Sequence, residues 1–163
     1  MLTQNTIQEW LDYDVDTGIF KWKKSPSMCV KQSSIAGTLN KSNGYIIIQL
    51  SRKVWKAHRL AWLYVYGCMP NHHIDHIDGN RANNAIANLR DVTNAQNQQN
   101  QKIARNDNST GFLGVSYRKE TRKFRARIGL NGVIHNIGNF DTASDAHDAY
   151  ITVKRLMHEY CEI

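Results

Sequence analysis

Between residues 93 and 110 the chain offers almost nothing from which a core could be built. From Asn94 to Gln101, seven of eight residues are Asn or Gln, Ala95 being the exception. Arg105-Asn106-Asp107-Asn108-Ser109-Thr110-Gly111 follows, with the chemistry of turns and linkers. An amide-rich run alone reads as a flexible connector, yet Thr93 is a candidate N-cap for a short helix through 94–101. Interrupted in this way, 163 residues are read as two small units with a boundary near 102–110. The domains expected are residues 1–102 and 103–163.

Upstream, residues 3–11 form a weak amphipathic helix with Ile7, Trp10 and Leu11 as its apolar face. Asp16-Thr17-Gly18 is a turn before a strand over 19–23, and Ser42-Asn43-Gly44 is another before a β-rich run over 45–50. Residues 53–57 are its hairpin partner, and 59–66 a buried helix ended by Gly67 and Pro70. Downstream, strands are predicted over 115–118, 124–130 and 133–138, with Asn131-Gly132 as a two-residue hairpin turn. Thr142 caps a final helix with Asp145 as its capping-box partner. Ala146, Ala149, Tyr150, Val153, Leu156, Met157 and Tyr160 make its apolar stripe, which is read as core. The class is α+β.

Charge narrows the function. Twenty-one Lys and Arg against fourteen Asp and Glu give +7, and a small protein this basic usually meets a polyanion, most often nucleic acid. No apolar run is long enough to span a bilayer, and the first residues lack the pattern of a secretion signal. Cys29, Cys68 and Cys161 form no CxxC pair, so they are read as reduced thiols of a cytoplasmic protein.

The densest chemistry lies in His72-His73-Ile74-Asp75-His76-Ile77-Asp78-Gly79-Asn80-Arg81-Ala82-Asn83-Asn84, followed by Asn88-Leu89-Arg90 and Asn97. Imidazole is suited to taking a proton from water near neutral pH. A carboxylate and an amide oxygen are hard donors suited to Mg²⁺, and no cysteine stands nearby to favour zinc. A base beside a magnesium ion on a basic protein points to phosphodiester hydrolysis. Neighbouring side chains on a regular strand point to opposite faces, so Asp75 and His76 serve one phosphate only if the strand twists or ends there. His58 is read as structural, and His72 and His73 as surface residues or DNA contacts.

His58-Arg59-Leu60, Asp75-His76-Ile77-Asp78-Gly79-Asn80, Asn83-Asn84, Asn88-Leu89-Arg90 and Thr93 together resemble an HNH endonuclease of the His-Asn-Asn subgroup found in phage and intron-encoded homing endonucleases. The resemblance covers roughly residues 10–100. It implies a ββα-metal (His-Me finger) fold in which a hairpin and a helix hold one divalent cation. Carried onto these residues, it makes Asp75 a metal ligand and His76 the general base. Asn88 would pin the loop and orient the imidazole, and Asn97 would be the second metal ligand, with Asn94 and Asn100 as its alternatives. Mg²⁺ is the implied cofactor, with Mn²⁺ able to substitute. The implied products are a 5′-phosphate and a 3′-hydroxyl.

A second constellation lies between residues 118 and 127. Arg118, Lys119, Arg122, Lys123, Arg125 and Arg127 face one acid, Glu120, for +5 in ten residues. Phe124, Ala126 and Ile128 alternate with Arg125 and Arg127, so one sheet face packs on the helix and the other is cationic. On the preceding strand Val115 and Tyr117 point inward, while Ser116 and Arg118 point outward. Arg pairs bidentately with phosphate or guanine, and sheets can enter the major groove.

Thr110-Gly111, Gly114-Val115, Lys123 to Ile128, Ile137 to Thr142, and Ala146, Ala149 and Tyr150 resemble the plant ethylene-response-factor (AP-two type) DNA-binding domain over roughly 108–160. That family reads DNA with the outer face of a three-stranded sheet. The tryptophans common on that face in plant members are absent here. Ser116, Arg118, Lys119, Arg122, Lys123, Arg125 and Arg127 are therefore the expected contacts to double-stranded DNA. Phage HNH endonucleases often carry such a domain C-terminally, so the two resemblances support each other. Alternatives are a DNA-binding regulator with a decayed nuclease half, and an RNA-binding or nucleoid protein using the basic sheet alone. Monomer and homodimer are both open.

Overall fold

The structure, a computed structural model, describes residues 2–104, 107–130 and 132–158. Cys161, Tyr160 and Asn131 lie outside the described residues. The chain divides into two compact units, Met1–Thr93 and Asn94–Ile163.

In the first unit, α1 (Gln4–Trp10) starts where the Thr3 hydroxyl accepts the Thr6 amide proton at 3.2 Å. It buries Ile7 and passes directly into β1 (Leu11–Tyr13). β1 pairs with β2 (Phe20–Trp22), and β2 with β3 (Ile35–Ala36), as an antiparallel sheet. A second sheet joins β4 (Thr38–Leu39), β5 (Ile46–Leu50) and β6 (Lys53–Lys56). Its β5–β6 turn is two residues long, and Ser51 and Arg52 both take positive φ, 53° and 61°, where Asn-Gly would be the usual occupant. β6 leads into α2 (Ala57–Tyr66), which Gly67 ends in the left-handed conformation, its N–H reaching the Leu63 carbonyl at 3.1 Å. Ile7, Leu11, Phe20, Ile48, Leu60 and Ala61 are at most 2% exposed and form the centre of one core. Burying each of the large side chains stabilises the unit by about 1.5–3 kcal/mol before entropy is counted.

β7 (His73–His76) and β8 (Leu89–Val92) then pair antiparallel, with Asp75 opposite Arg90 and His76 opposite Leu89. A loop ending in a 3-10 turn, Ile86–Asn88, joins them.

The second unit opens with α3 (Asn94–Gln99). β9 (Val115–Arg118), β10 (Lys123–Leu130) and β11 (Val133–Phe140) form an antiparallel sheet in the order β11-β10-β9, packed by α4 (Ala143–Met157). The Thr142 hydroxyl accepts the Asp145 amide proton at 3.1 Å and donates to the Asp145 carboxylate at 2.7 Å. Val115, Ala126, Ile128, Ala146 and Tyr150 make the core.

Two expectations for this unit need correction. Leu156 and Met157 are 81% and 46% exposed, not core. The buried line along α4 runs through Ala146, Tyr150 and Lys154, and His158 just beyond the helix continues it. Lys154 is placed there because its stem lies inside while its ammonium donates to the Gln101 carbonyl. Tyr117, expected to point inward, is 44% exposed at the sheet's edge strand, with its ring 5.1 Å from that of Phe124.

Candidate functional site

His76 is the last residue of β7 and is buried. Its imidazole meets the His58 ring edge-on at 5.1 Å and the Tyr45 ring at 6.0 Å. The Asn84 side-chain oxygen stands 3.4 Å from Nε2. The other end of that amide donates to the Ala82 carbonyl at 3.1 Å, which can only accept, so Oδ1 is the end facing the imidazole. An amide oxygen accepts only, so in this contact Nε2 is the donor when it carries the imidazole proton. Burial is the largest influence on His76 and pulls its pKa below the usual histidine value, against the Asn84 contact and the nearby Asp78 and Asp75 charges, which raise it. The ring is therefore neutral at neutral pH.

Asn84 is itself fixed from far away in sequence. The Tyr13 hydroxyl donates to the Asn84 carbonyl at 2.6 Å, and the Ile86 amide donates to the Val15 carbonyl at 3.0 Å. Gly18, at φ +72°, lies so close that a Cβ there would come within 2.2 Å of the Asn84 and Ala85 backbone. The loop after β1 thus presses the Asn84 segment against His76.

Asn88 holds the connecting loop. Its side-chain oxygen accepts the Asp78 amide proton at 3.0 Å, and its nitrogen donates to the Asp78 carboxylate and to the Asn83 carbonyl, both at 3.0 Å. The Asp78 carboxylate also accepts from the Asn80 amide at 2.7 Å and the Asn83 side chain at 2.8 Å. Burial alone would raise the Asp78 pKa, but these bonds from Asn83, Asn80 and Asn88 outweigh it and lower it. Asn88, expected to pin the loop and orient the imidazole, makes its contacts to Asp78 and Asn83, while the amide beside the imidazole belongs to Asn84.

Asp75 is buried, and its Oδ2 accepts from Arg90 Nε at 3.0 Å and Nη2 at 2.9 Å. Sequence reasoning missed Arg90, although cross-strand pairing in β7–β8 brings the two together. His72 and His73 are exposed, and His58 is buried at the start of α2, where burial first, then His76, Lys56 and Arg59, pushes its pKa down to about 3. Asn97 lies half-buried in α3, in the second unit, with Asn94 exposed and Asn100 buried. The structure therefore gathers Asp75, His76 and Asn88 in the first unit and carries Asn97 in the second.

As a donor to a metal, the first unit offers the Asp75 carboxylate, a hard oxygen ligand whose Oδ2 is bonded to Arg90. No group of three or more His, Cys, Asp or Glu clusters among the described residues. A carboxylate oxygen is the kind of donor Mg²⁺ takes, since that ion keeps most of its water and needs only one or two protein ligands beside substrate phosphates, whereas zinc favours nitrogen and sulfur donors.

In the second unit, Ala126 and Ile128 of β10 are buried, and Arg125 and Arg127 alternate with them on the other face, half-buried. A bulge falls on the β10–β11 ladder between Ala126 and Arg127 without disturbing this alternation. Ser116 is paired with Arg125 across the ladder, and Arg118 with Lys123. Among the described residues, Ser116 Oγ and Arg125 Nε are buried atoms with no hydrogen-bond partner. Desolvation, then the Arg127 and Arg118 charges, lowers the Arg125 pKa. Lys119, Arg122 and Lys123 are exposed, and Lys123 reaches Asp141 at 3.2 Å in an ion pair too exposed to matter much energetically.

A family model described as HNH endonuclease matches residues 56–99. Protein 3.8 of Escherichia phage T7 is 31% identical over 109 residues, which are 66% of this chain and 89% of that protein. No solved structure gives a significant match. No helix among the described residues is long and apolar enough to cross a membrane.

Proposed function

The chain belongs to the HNH endonuclease family, and from that premise we propose that it hydrolyses double-stranded DNA with His76 as general base. The reading rests on one observation: a buried imidazole, kept neutral and held by an amide oxygen, at the end of the strand that also carries Asp75. Asp75 and Asn97 would hold Mg²⁺, for which Mn²⁺ substitutes. Bound there, the ion would stabilise charge on the phosphate and the leaving oxygen.

The chain's own residues supply the proton transfer. A water attacks phosphorus opposite the 3′-oxygen and gives its proton to Nδ1 of His76, whose Nε2–H stays on Asn84. The new P–O bond forms as the P–O3′ bond breaks, and the departing 3′-oxygen takes a proton from solvent water, leaving a 5′-phosphate and a 3′-hydroxyl. Asn88 keeps the loop that carries Asn84 in place through Asp78 and Asn83. Ser116, Arg118, Lys119, Arg122, Lys123, Arg125 and Arg127 hold the duplex in an AP-two/ERF-like manner. The homing subgroup, with its ββα-metal arrangement, is part of the same proposal.

Supercoiled plasmid incubated with the protein and Mg²⁺, with and without EDTA, tests the reading. Cleavage is expected only with the metal, and His76→Ala should lower it by roughly two to four orders of magnitude while DNA binding survives. Binding without any cleavage by the wild type would instead favour a DNA-binding regulator with a decayed nuclease half. A His76→Ala variant that cuts at the wild-type rate would refute the base assignment.

A further inference from the structure

The Tyr45 ring is half-buried, 6.0 Å from the His76 ring and 5.0 Å from that of His58. Two cations sit against it. Lys56 Nζ is 4.2 Å from the ring centroid, and the Arg81 guanidinium carbon is 5.2 Å from it. Arg81 is anchored a second time, donating from Nη1 to the Asn43 carbonyl at 3.0 Å. Both cations are exposed, and among the described residues neither has a carboxylate within ion-pairing distance. Lys56 also lies within a run, residues 51–60, that holds Arg52, Lys53, Lys56 and Arg59 and no acid.

Two like charges held on one ring repel each other, and the aromatic quadrupole only partly offsets that. An anion between or beside them removes the repulsion. The ring that collects them is the one against the candidate base, so the anion they attract arrives where the chemistry is proposed.

We propose that Lys56 and Arg81, mounted on Tyr45, form a phosphate subsite that seats the backbone of the DNA substrate beside His76. The assignment rests on the nuclease reading for its catalytic consequence, but not for its binding chemistry. Lys56 acts as a mobile point charge, and Arg81, fixed by Asn43, as an oriented fork.

The test measures the affinity of the full chain for a short duplex as a function of salt, in EDTA, for wild type, Lys56→Gln, Arg81→Gln, the double variant and Lys21→Gln. Lys21 is an exposed lysine on β2 and serves as the charge-matched control. Each lost phosphate contact should reduce the slope of log affinity against log salt by about 0.9, so the double variant should lose nearly two units and the control none. In Mg²⁺ the double variant should raise KM for plasmid by about tenfold or more while the pH profile of kcat keeps its acid limb. An unchanged slope and KM in the double variant would overturn the subsite, as would an equal loss in the control. A wild type that never cuts, together with the slope loss, would keep the subsite and sink the nuclease reading instead.

Discussion

His58 gives the sharpest quantitative test of how this site is built. It is 5% exposed, wedged between Tyr45 and His76, and burial pushes its pKa from 6.5 down to about 3. In the unfolded chain it returns to the ordinary value. The unfolded state therefore binds more protons at every pH between the two values, and stability falls as the pH falls through that window. One proton of difference is worth about 1.4 kcal/mol per pH unit, so acidifying from about pH 7.5 to about pH 5 should cost the first unit about 2 kcal/mol through His58 alone. His76 shifts in the same direction and adds to the loss.

All four tryptophans, Trp10, Trp22, Trp55 and Trp62, belong to the first unit, so urea unfolding followed by tryptophan fluorescence reports on that unit. His58→Gln and His58→Phe remove the titration in two different ways. Both should lower stability at neutral pH, yet both should lose about 2 kcal/mol less than wild type on acidification. The difference between wild type and variant isolates His58 from every other group. Parallel losses in all three proteins would refute the claim that a neutral buried imidazole supports His76.

Gly18→Ala should cost roughly 2 kcal/mol or more, since the new Cβ meets backbone rather than a movable side chain and φ is +72°. By displacing Asn84 it should also slow cleavage by about a hundredfold in protein shown by fluorescence to be folded, and a folded variant cutting at the wild-type rate would remove Asn84 from the mechanism. Arg125→Ala/Arg127→Ala should reduce the salt slope of DNA affinity by about two units with little change in thermal midpoint. An unchanged affinity with a lowered midpoint would reassign that face to stability.

The second unit was legible because its signals are local. Alternation around Phe124, Ala126 and Ile128 sets the faces of β10, and Thr142 with Asp145 marks the start of α4. The miss at Leu156 and Met157 follows from scoring lysine as wholly polar. Lys154 can follow Tyr150 along the buried line because its stem is apolar and its ammonium finds a carbonyl. In the first unit, the Asp75-His76 pair and Asn88 stand out in sequence, but Asn84 does not differ there from its neighbours. Its position against His76 depends on Tyr13 and Gly18, roughly seventy residues earlier, and no local pattern encodes that contact. Arg90 is likewise visible only once the register of β7 on β8 is known.

The choice of asparagine in this loop has its own electrostatic logic. Between His76 and Leu89 the loop must satisfy many backbone groups without regular pairing. An amide side chain both donates and accepts, so it closes such a loop without adding charge. Asn80, Asn83 and Asn88 do this through one another and through Asp78. Asp78 is the loop's single acid, and its carboxylate is covered by donors from all three. Had aspartates filled the asparagine positions, they would have repelled one another and any polyanion brought to His76. They would also have raised the pKa of the imidazole, protonating the base that the site needs neutral. The amides therefore hold the loop without adding negative charge to a site where Asp75 and Asp78 already act on His76 against Arg81, so the approach of a phosphate backbone meets no further repulsion there.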